Sequence, residues 1–543
     1  MKKFLALLVA LTLVLGTMGA LAEETPATSI TVAVGAQFTT LDPALNTETV
    51  NNEVLVHMYN NLFMKDEAGQ LVNMMCESYE VSEDGLTYTF KLLPGILWSD
   101  GVEVTANDFV YSFLRSISYG ADNVWNINSK LEYIVGADEY NANALEVGES
   151  FDCTTADASS VGFKALDDYT LEVKLTKPCA YFLQMFTGNS WAPLRADFAP
   201  QHESLWAFEG GYPTTGMYTL EECSENEKCV LVKNPNYQFA DTVLMDTITF
   251  LVMPDTTAQA FAFQNGEVDV ALSVSSETAL QYEGSPELWL ISKSTNYFLA
   301  INSGATGPDW AKDANVRRAL ALAIDKDALV EVIGGPSLYP VLNGYVAYGM
   351  TGLNGDFREE GDADGYTLKY DPEQAKALLA EAGYDERNPL QIVYKYSNNG
   401  MHGDVATMLQ SMWQAIGVDC TFEAVESGVF YDQVDQGQFE ICRYGLSATD
   451  DPISFLKIWT TGQQVVASVD DPEYDKMVEA ASLLIDPTEY YTELHKVEDY
   501  LCEENVYVIP LFNFNSTALV SSKVSGHRLI AAYEYFDQCV ISD

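Results

Sequence analysis

The sequence is poor in positive charge: 28 Lys and Arg stand against 79 Asp and Glu in 543 residues, a formal charge of −51. Such a field repels nucleic acid and anionic lipid, and neither is expected as a partner. Histidine is scarce as well, five in the chain, and the nine cysteines contain no C-x-x-C pair. That spacing argues against zinc. There is no G-x-S-x-G, no H-E-x-x-H and no Cys/His nucleophile arrangement, so an enzyme is not expected, nor a cofactor. Carboxylate pairs are too common among 79 acidic residues to mark a glycosidase. After the first 22 residues no run is long and apolar enough to span a bilayer.

What is present is a foldable chain. Hydrophobic residues make up 48% and aromatic residues 12%, enough to exclude a disordered acidic polymer. The length exceeds what one core supports and implies two or three globular units. Residues 1–22 read as a signal peptide, with Lys2 and Lys3 ahead of an apolar stretch from Phe4 to Leu15 and Ala20-Leu21-Ala22 before Glu23. No cysteine follows that stretch, so no lipobox is evident, and the chain is expected to be exported as a soluble periplasmic or cell-surface monomer. Export permits disulfides. Cys223 and Cys229 flank a short polar loop and can close a hairpin; Cys420 and Cys442 are a second possible pair, and the odd total leaves at least one free thiol.

The most informative stretch is residues 77–115, ESYEVSEDGLTYTFKLLPGILWSDGVEVTANDFVYSFLR. Asp84-Gly85 supplies a turn, and Leu86, Tyr88 and Phe90 alternate along a strand. Pro94-Gly95 ends it, and Trp98 falls in a short segment before Asp100-Gly101. Thr105 with Asp108 marks a helix start, and Phe109, Phe113 and Leu114 form its apolar stripe. Further along, residues 161–175 form a hairpin turning at Asp167-Asp168. Residues 315–333 read as one buried helix with Asn315 as its cap, giving Arg317 and Arg318 no catalytic role. Residues 334–370 read as a long Gly-rich loop of the kind that lines or covers a cleft. Asp371-Pro372 caps a helix ended by Gly383, helix–strand alternation follows to residue 442, and Trp413 and Trp459 are expected in the core.

The 84–115 run resembles the signature of the bacterial extracytoplasmic solute-binding proteins of the peptide and nickel class, departing mainly at Leu93, where Arg is usual. LDP at 41–43, the 161–175 hairpin followed by Lys177-Pro178, and VRRALALAID at 316–325 extend the likeness, most closely toward the oligopeptide-binding branch. The resemblance implies an α/β, bilobal periplasmic-binding-protein fold (type II-like, cluster C), with two mixed-sheet lobes around a cleft and an extra smaller domain. On that pattern lobe I takes residues 23–70, 196–295 and 510–543, the extra domain II takes 71–195, and lobe III takes 296–509. It further implies the substrate-binding component of an ABC importer, which captures oligopeptides by lobe closure and passes them to the permease subunits. The alternatives are the same fold holding a nickel chelate, haem, a sugar or an opine, or an exported hydrolase.

Site residues follow from the same resemblance. Segment 439–456, FEICRYGLSATDDPISFL, matches the family strand that carries an Arg and, after Ala, an Asp for the peptide amine. Arg443 takes the Arg position, as partner for a ligand carboxylate or as half of a structural salt bridge. This chain is one residue shorter before Pro452, so the amine position falls on Ala448 or Thr449, and a shift through the gap brings in Asp450. Asp450 is accordingly read as a ligand contact, as a cap of the helix starting near Pro452, or as a solvent-facing carboxylate. Tyr119 resembles a loop Tyr lying along the bound peptide, with Trp125 as its substitute. Asn398 and His402 lie in a segment whose His faces the cleft in the family.

Overall fold

The computed structural model describes residues 28–542 apart from 68, 120–123, 200–207, 209, 367, 448–450, 463–465, 467 and 531–532. Two long strands, Leu288–Ile301 and Val508–Val520, run antiparallel through the centre of a ten-stranded sheet. On one side the first of them pairs with Ile441–Ser447, which leads through Leu390–Ser397 to Val418–Val425. On the other side the second pairs with Val270–Ala271, which leads through Ser29–Val34 to Thr247–Val252 and the hairpin Lys228–Lys233/Tyr218–Ser224. Lobes I and III thus share one sheet, and the two central strands are the covalent connection across which they meet.

Strand direction fixes where the lobes face each other. Val270–Ala271 and Ser29–Val34 run antiparallel to Val508–Val520, hence toward lobe III. Ile441–Ser447 and Leu390–Ser397 run antiparallel to Leu288–Ile301, hence toward lobe I. The carboxyl ends of both parallel sets therefore converge on the middle of the central strands, the position at which open α/β sheets bind ligands.

That middle is irregular. Between the pairs Ser292–Asn515 and Asn296–Asn513, three residues of one strand oppose only Phe514 of the other. A bulge frees backbone groups and bends the strand. Asn513, fully buried, satisfies them: its Nδ2 donates to the carbonyls of Lys293 (2.9 Å) and Phe514 (3.0 Å). Ladder bonding between the two central strands is weakest here.

Domain II is a four-stranded antiparallel sheet in the order Cys76–Val81, Thr87–Leu92, Thr170–Lys174, Phe163–Asp167. The helix Ala106–Ser116 covers it, with Phe113 stacked on Phe163 at 4.2 Å. The expected cap is present: Asp108 Oδ2 accepts from the Thr105 N–H at 2.8 Å. From the helix end Arg115 reaches Asp42 of lobe I through a two-pronged pair at 3.0 and 2.5 Å, with both side chains fully buried.

Three readings need correction. The 315–333 helix is two, Ala314–Leu322 and Lys326–Ile333, because Asp325 caps the second by accepting from the Ala328 N–H. Asp313, not Asn315, caps the first. The 334–370 stretch is not all loop: it holds the helix Phe357–Asp364, and Tyr345, Val346 and Ala347 are core. Of the proposed disulfides, Cys223–Cys229 forms across directly paired positions of its hairpin. Cys420 and Cys442 cannot pair, since strand Leu390–Ser397 lies between theirs; both are free and buried. Trp413 and Trp459 are buried as expected.

Candidate solute-binding site

Arg443 is the cation of the lobe III wall. It sits on the strand Ile441–Ser447, paired across to Leu299, and is only 6% exposed. Its guanidinium meets neutral groups: Nη2 donates to Ser397 Oγ, and both terminal nitrogens lie 3.5 Å from Tyr431 Oη. The rings of Phe430 (4.6 Å) and Tyr431 (5.5 Å) lie against the cation. Among the described residues Nε has no hydrogen-bond partner and no carboxylate forms an ion pair with the guanidinium. Of the two readings of Arg443, the structural salt bridge is therefore absent among those residues. A buried cation facing only hydroxyls and π-faces is stabilised in part.

His402 opens the helix His402–Ala415 beside this arginine. Its Nδ1 lies 3.1 Å from Tyr297 Oη. Burial, and next the charge of Arg443, lower its pKa to about 4, so the ring is neutral near pH 7 and adds no second cation. Tyr297 stacks on Phe512 of the other central strand at 4.5 Å. Asn398 follows the strand Leu390–Ser397; its backbone N–H donates to the Val425 carbonyl at 2.8 Å, and its side chain is exposed. Arg443, the third residue of its own strand, thus reaches Ser397, Asn398 and His402 at the carboxyl end of the neighbouring strand Leu390–Ser397. Half-buried Thr295 and exposed Ser447, 2.7 Å apart through their hydroxyls, mark where that wall reaches the bulge.

The other calls separate. Tyr119 is half-buried in domain II, with the Arg115 guanidinium 5.3 Å from its ring centroid and its carbonyl accepting from Asn141 Nδ2. Trp125 belongs to the helix Val124–Tyr133, but its side chain lies outside the described residues. Asp450 lies outside them altogether.

The adjoining Asp451, whose step into Pro452 carries the cap reading, is a fully buried carboxylate. Oδ1 accepts from Tyr490 Oη at 2.6 Å and from the Ile453 N–H at 3.0 Å, and Oδ2 from Tyr491 Oη at 3.3 Å. Burial, outweighing these bonds, raises its pKa to about 6. Tyr491 also accepts from Gln184 of domain II at 2.8 Å, and Tyr181 stacks on Tyr490. Asp451 therefore caps the helix Ile453–Leu456 and joins lobe III to domain II. The cap role belongs to the second of two adjacent aspartates, and its signal was the Asp-Pro step itself.

Among the described residues no group of three or more His, Cys, Asp or Glu is arranged to hold a metal ion, and no helix is long and apolar enough to cross a membrane.

Comparison with known proteins agrees with this architecture. Residues 70–466 match the family described as bacterial extracellular solute-binding proteins, family 5 Middle. The periplasmic oligopeptide-binding protein OppA of Escherichia coli K12 is 27% identical over 501 residues, covering 91% of this chain and 88% of that protein. Among solved structures, the unliganded open form of the murein tripeptide-binding protein MppA superposes with a TM-score of 0.82 at 22% identity, over 95% of this chain and 98% of that one. Listeria monocytogenes OppA bound to peptide gives 0.66, also at 22% identity, over 96% and 100%. The chain belongs to the bacterial extracellular solute-binding proteins of family 5 and has the bilobal fold of the extracytoplasmic binding components of ABC transport.

Proposed function

We propose that the chain captures oligopeptides between lobes I and III, makes and breaks no bond in them, and delivers them from outside the cytoplasmic membrane to the permease subunits of an ABC importer. The single observation that carries this reading is Arg443, a buried guanidinium whose described partners are all neutral and whose Nε is unpaired. It lies beside the carboxyl end of the strand Leu390–Ser397 with the geometry to grip a terminal carboxylate through its planar fork. Main-chain groups of an extended ligand would pair with strand edges, and water-filled pockets would take its side chains with little selection. Closure about the bulge at Lys293–Thr295 would then exclude solvent, and the ligand would shift the population toward that closed state.

A second reading, an acidic solute that is not a peptide, is favoured by one observation. The segment before Pro452 is a residue short, and Asp451, the described carboxylate there, is already bonded to two tyrosines. A nickel chelate, haem, a sugar acid or an opine would satisfy Arg443 without needing an amine anchor. Mass spectrometry of the solute released on gentle denaturation, followed by calorimetry with a tri- to pentapeptide pool, separates the two. Peptides in the released fraction and heat from the pool support the first; a non-peptide acid and no heat replace it with the second.

A further inference from the structure

Domain II is gripped by both lobes. Toward lobe I, Arg115 holds Asp42 in the buried two-pronged pair. Beside it the Ser99 N–H donates to the Thr214 carbonyl at 2.9 Å, the Thr214 N–H to Ser99 Oγ at 3.1 Å, and Asn236 Nδ2 to the Ser99 carbonyl at 2.9 Å. Toward lobe III, Gln184 Nε2 donates to Tyr491 Oη at 2.8 Å, Tyr181 stacks on Tyr490 with ring centroids 6.3 Å apart, and Glu132 meets Lys457 at 3.4 Å. The Asp84-Gly85 turn also touches lobe III: a Cβ at position 85 would lie 3.1 and 3.5 Å from Ile485 Cγ1 and Cγ2. A body held on two sides cannot follow both. If lobe III turns against lobe I, one of the two joints shears.

The joints are unequal. Parting the one with lobe I separates a guanidinium and a carboxylate that are both fully buried, the costliest kind of break. Parting the one with lobe III separates a hydrogen bond, a stacked pair of rings and an ion pair whose side chains are each more than a third exposed, which is worth little. It also relieves two costs. Gln184 Oε1 is buried without a hydrogen-bond partner among the described residues, and water reaches it once the surfaces part. Asp451, fully buried at this joint, takes its described bonds from Tyr490, Tyr491 and the Ile453 N–H, all of lobe III, so it keeps them and regains solvent.

We infer that domain II is a latch on the lobe angle: it stays with lobe I, its contact with lobe III holds the arrangement described here, and that contact parts as lobe III turns to enclose the solute. Parting it subtracts from solute binding, so the latch sets affinity through residues outside the candidate site. The motion rests on the capture reading; the choice of joint rests on the two sets of contacts.

Cysteines at positions 85 and 485 fall within disulfide reach, and the native free thiols are buried. In the full mature chain carrying Gly85→Cys and Ile485→Cys, oxidation should leave the radius of gyration of the solute-free protein unchanged in small-angle X-ray scattering, since it fixes a joint already made. The co-purified solute should contract the reduced form as it does the wild type in the same reductant. It should leave the oxidised form unmoved and bind it at least tenfold more weakly by calorimetry. An oxidised form that contracts and binds like the reduced one overturns the latch. So does a pair that does not oxidise, or a solute-free chain whose radius shifts on oxidation. Hydrogen exchange on the wild type needs no substitution: with solute bound, residues 181–186 should exchange at least threefold faster and residues 106–116 no faster. Faster exchange at 106–116, or no change at 181–186, overturns the latch. A wild type that neither binds nor contracts overturns the capture reading, while the solute-free oxidation result still judges the resting joint.

Discussion

Replacing Arg443 by Met separates a ligand anchor from a structural cation, because the two roles give opposite signs in two assays. Methionine keeps the length of the aliphatic stem and removes the guanidinium. If a ligand carboxylate completes Arg443, the substitution deletes a charge-assisted contact of about 1.5–3 kcal/mol. At roughly 1.4 kcal/mol per decade, affinity falls on the order of 10- to 150-fold. In the empty protein the same change removes a buried charge whose described partners are Ser397, Tyr431 and two rings. The desolvation cost of several kcal/mol that such a charge carries goes with it. Tyr431 is 39% exposed and can bond water instead. The melting temperature of Arg443→Met without ligand should therefore equal or exceed that of the wild type. Calorimetry with a peptide and with its C-terminal amide completes the test: the wild type should prefer the free acid, and the variant should bind both alike. A variant that melts well below the wild type yet keeps its affinity and its acid preference would refute the reasoning, since breaking a structural buried pair costs about 3–5 kcal/mol and leaves the ligand untouched.

Other expectations follow from particular groups. His402, with its folded pKa lowered to about 4 from an ordinary 6.5, contributes stability present above pH 6.5 and lost as pH falls toward 4; NMR should find its ring neutral at pH 6, and His402→Gln should flatten that limb of the stability profile. Asp451 has the opposite sign. Its pKa, raised to about 6, favours folding below pH 3.8, and that contribution is lost as pH rises through 6, so Asp451→Asn should remove the loss. Asp451→Ala strands the hydroxyls of Tyr490 and Tyr491 and the Ile453 N–H, and denaturant melts should show a cost on the order of 2–4 kcal/mol. Arg115→Met leaves Asp42 buried and unpaired between domain II and lobe I, a loss of about 3–5 kcal/mol readable by the same melts. A thiol reagent should find none of the seven free cysteines in the native chain, all of them buried, and all seven after unfolding.

Local chemistry was legible in the sequence where neighbours in the chain decide it. The Thr105–Asp108 cap, the Cys223–Cys229 hairpin and the strand bearing Arg443 each depend on residues within a few positions of one another. What escaped depends on distant partners. An apolar run from 315 to 333 has helical character throughout, and only the Asp325 cap, competing with the helix for its own backbone, divides it. Cys420 and Cys442 come from adjacent chain segments, yet the sheet inserts Leu390–Ser397 between them, an order no spacing encodes. Asp450 and Asp451 are indistinguishable by type, and the choice is made by Tyr490 and Tyr491, some forty positions on.

The central claim is that two lobes sharing one sheet turn about the Lys293–Thr295 bulge to enclose a solute. Pulsed electron resonance between spin labels placed on exposed helix positions of lobe I (Phe261) and lobe III (Glu373) measures that turn directly. The account predicts one long distance in the solute-free chain and a shorter one when the co-purified solute is returned at saturation. A single distribution, unmoved by saturating solute, would contradict it.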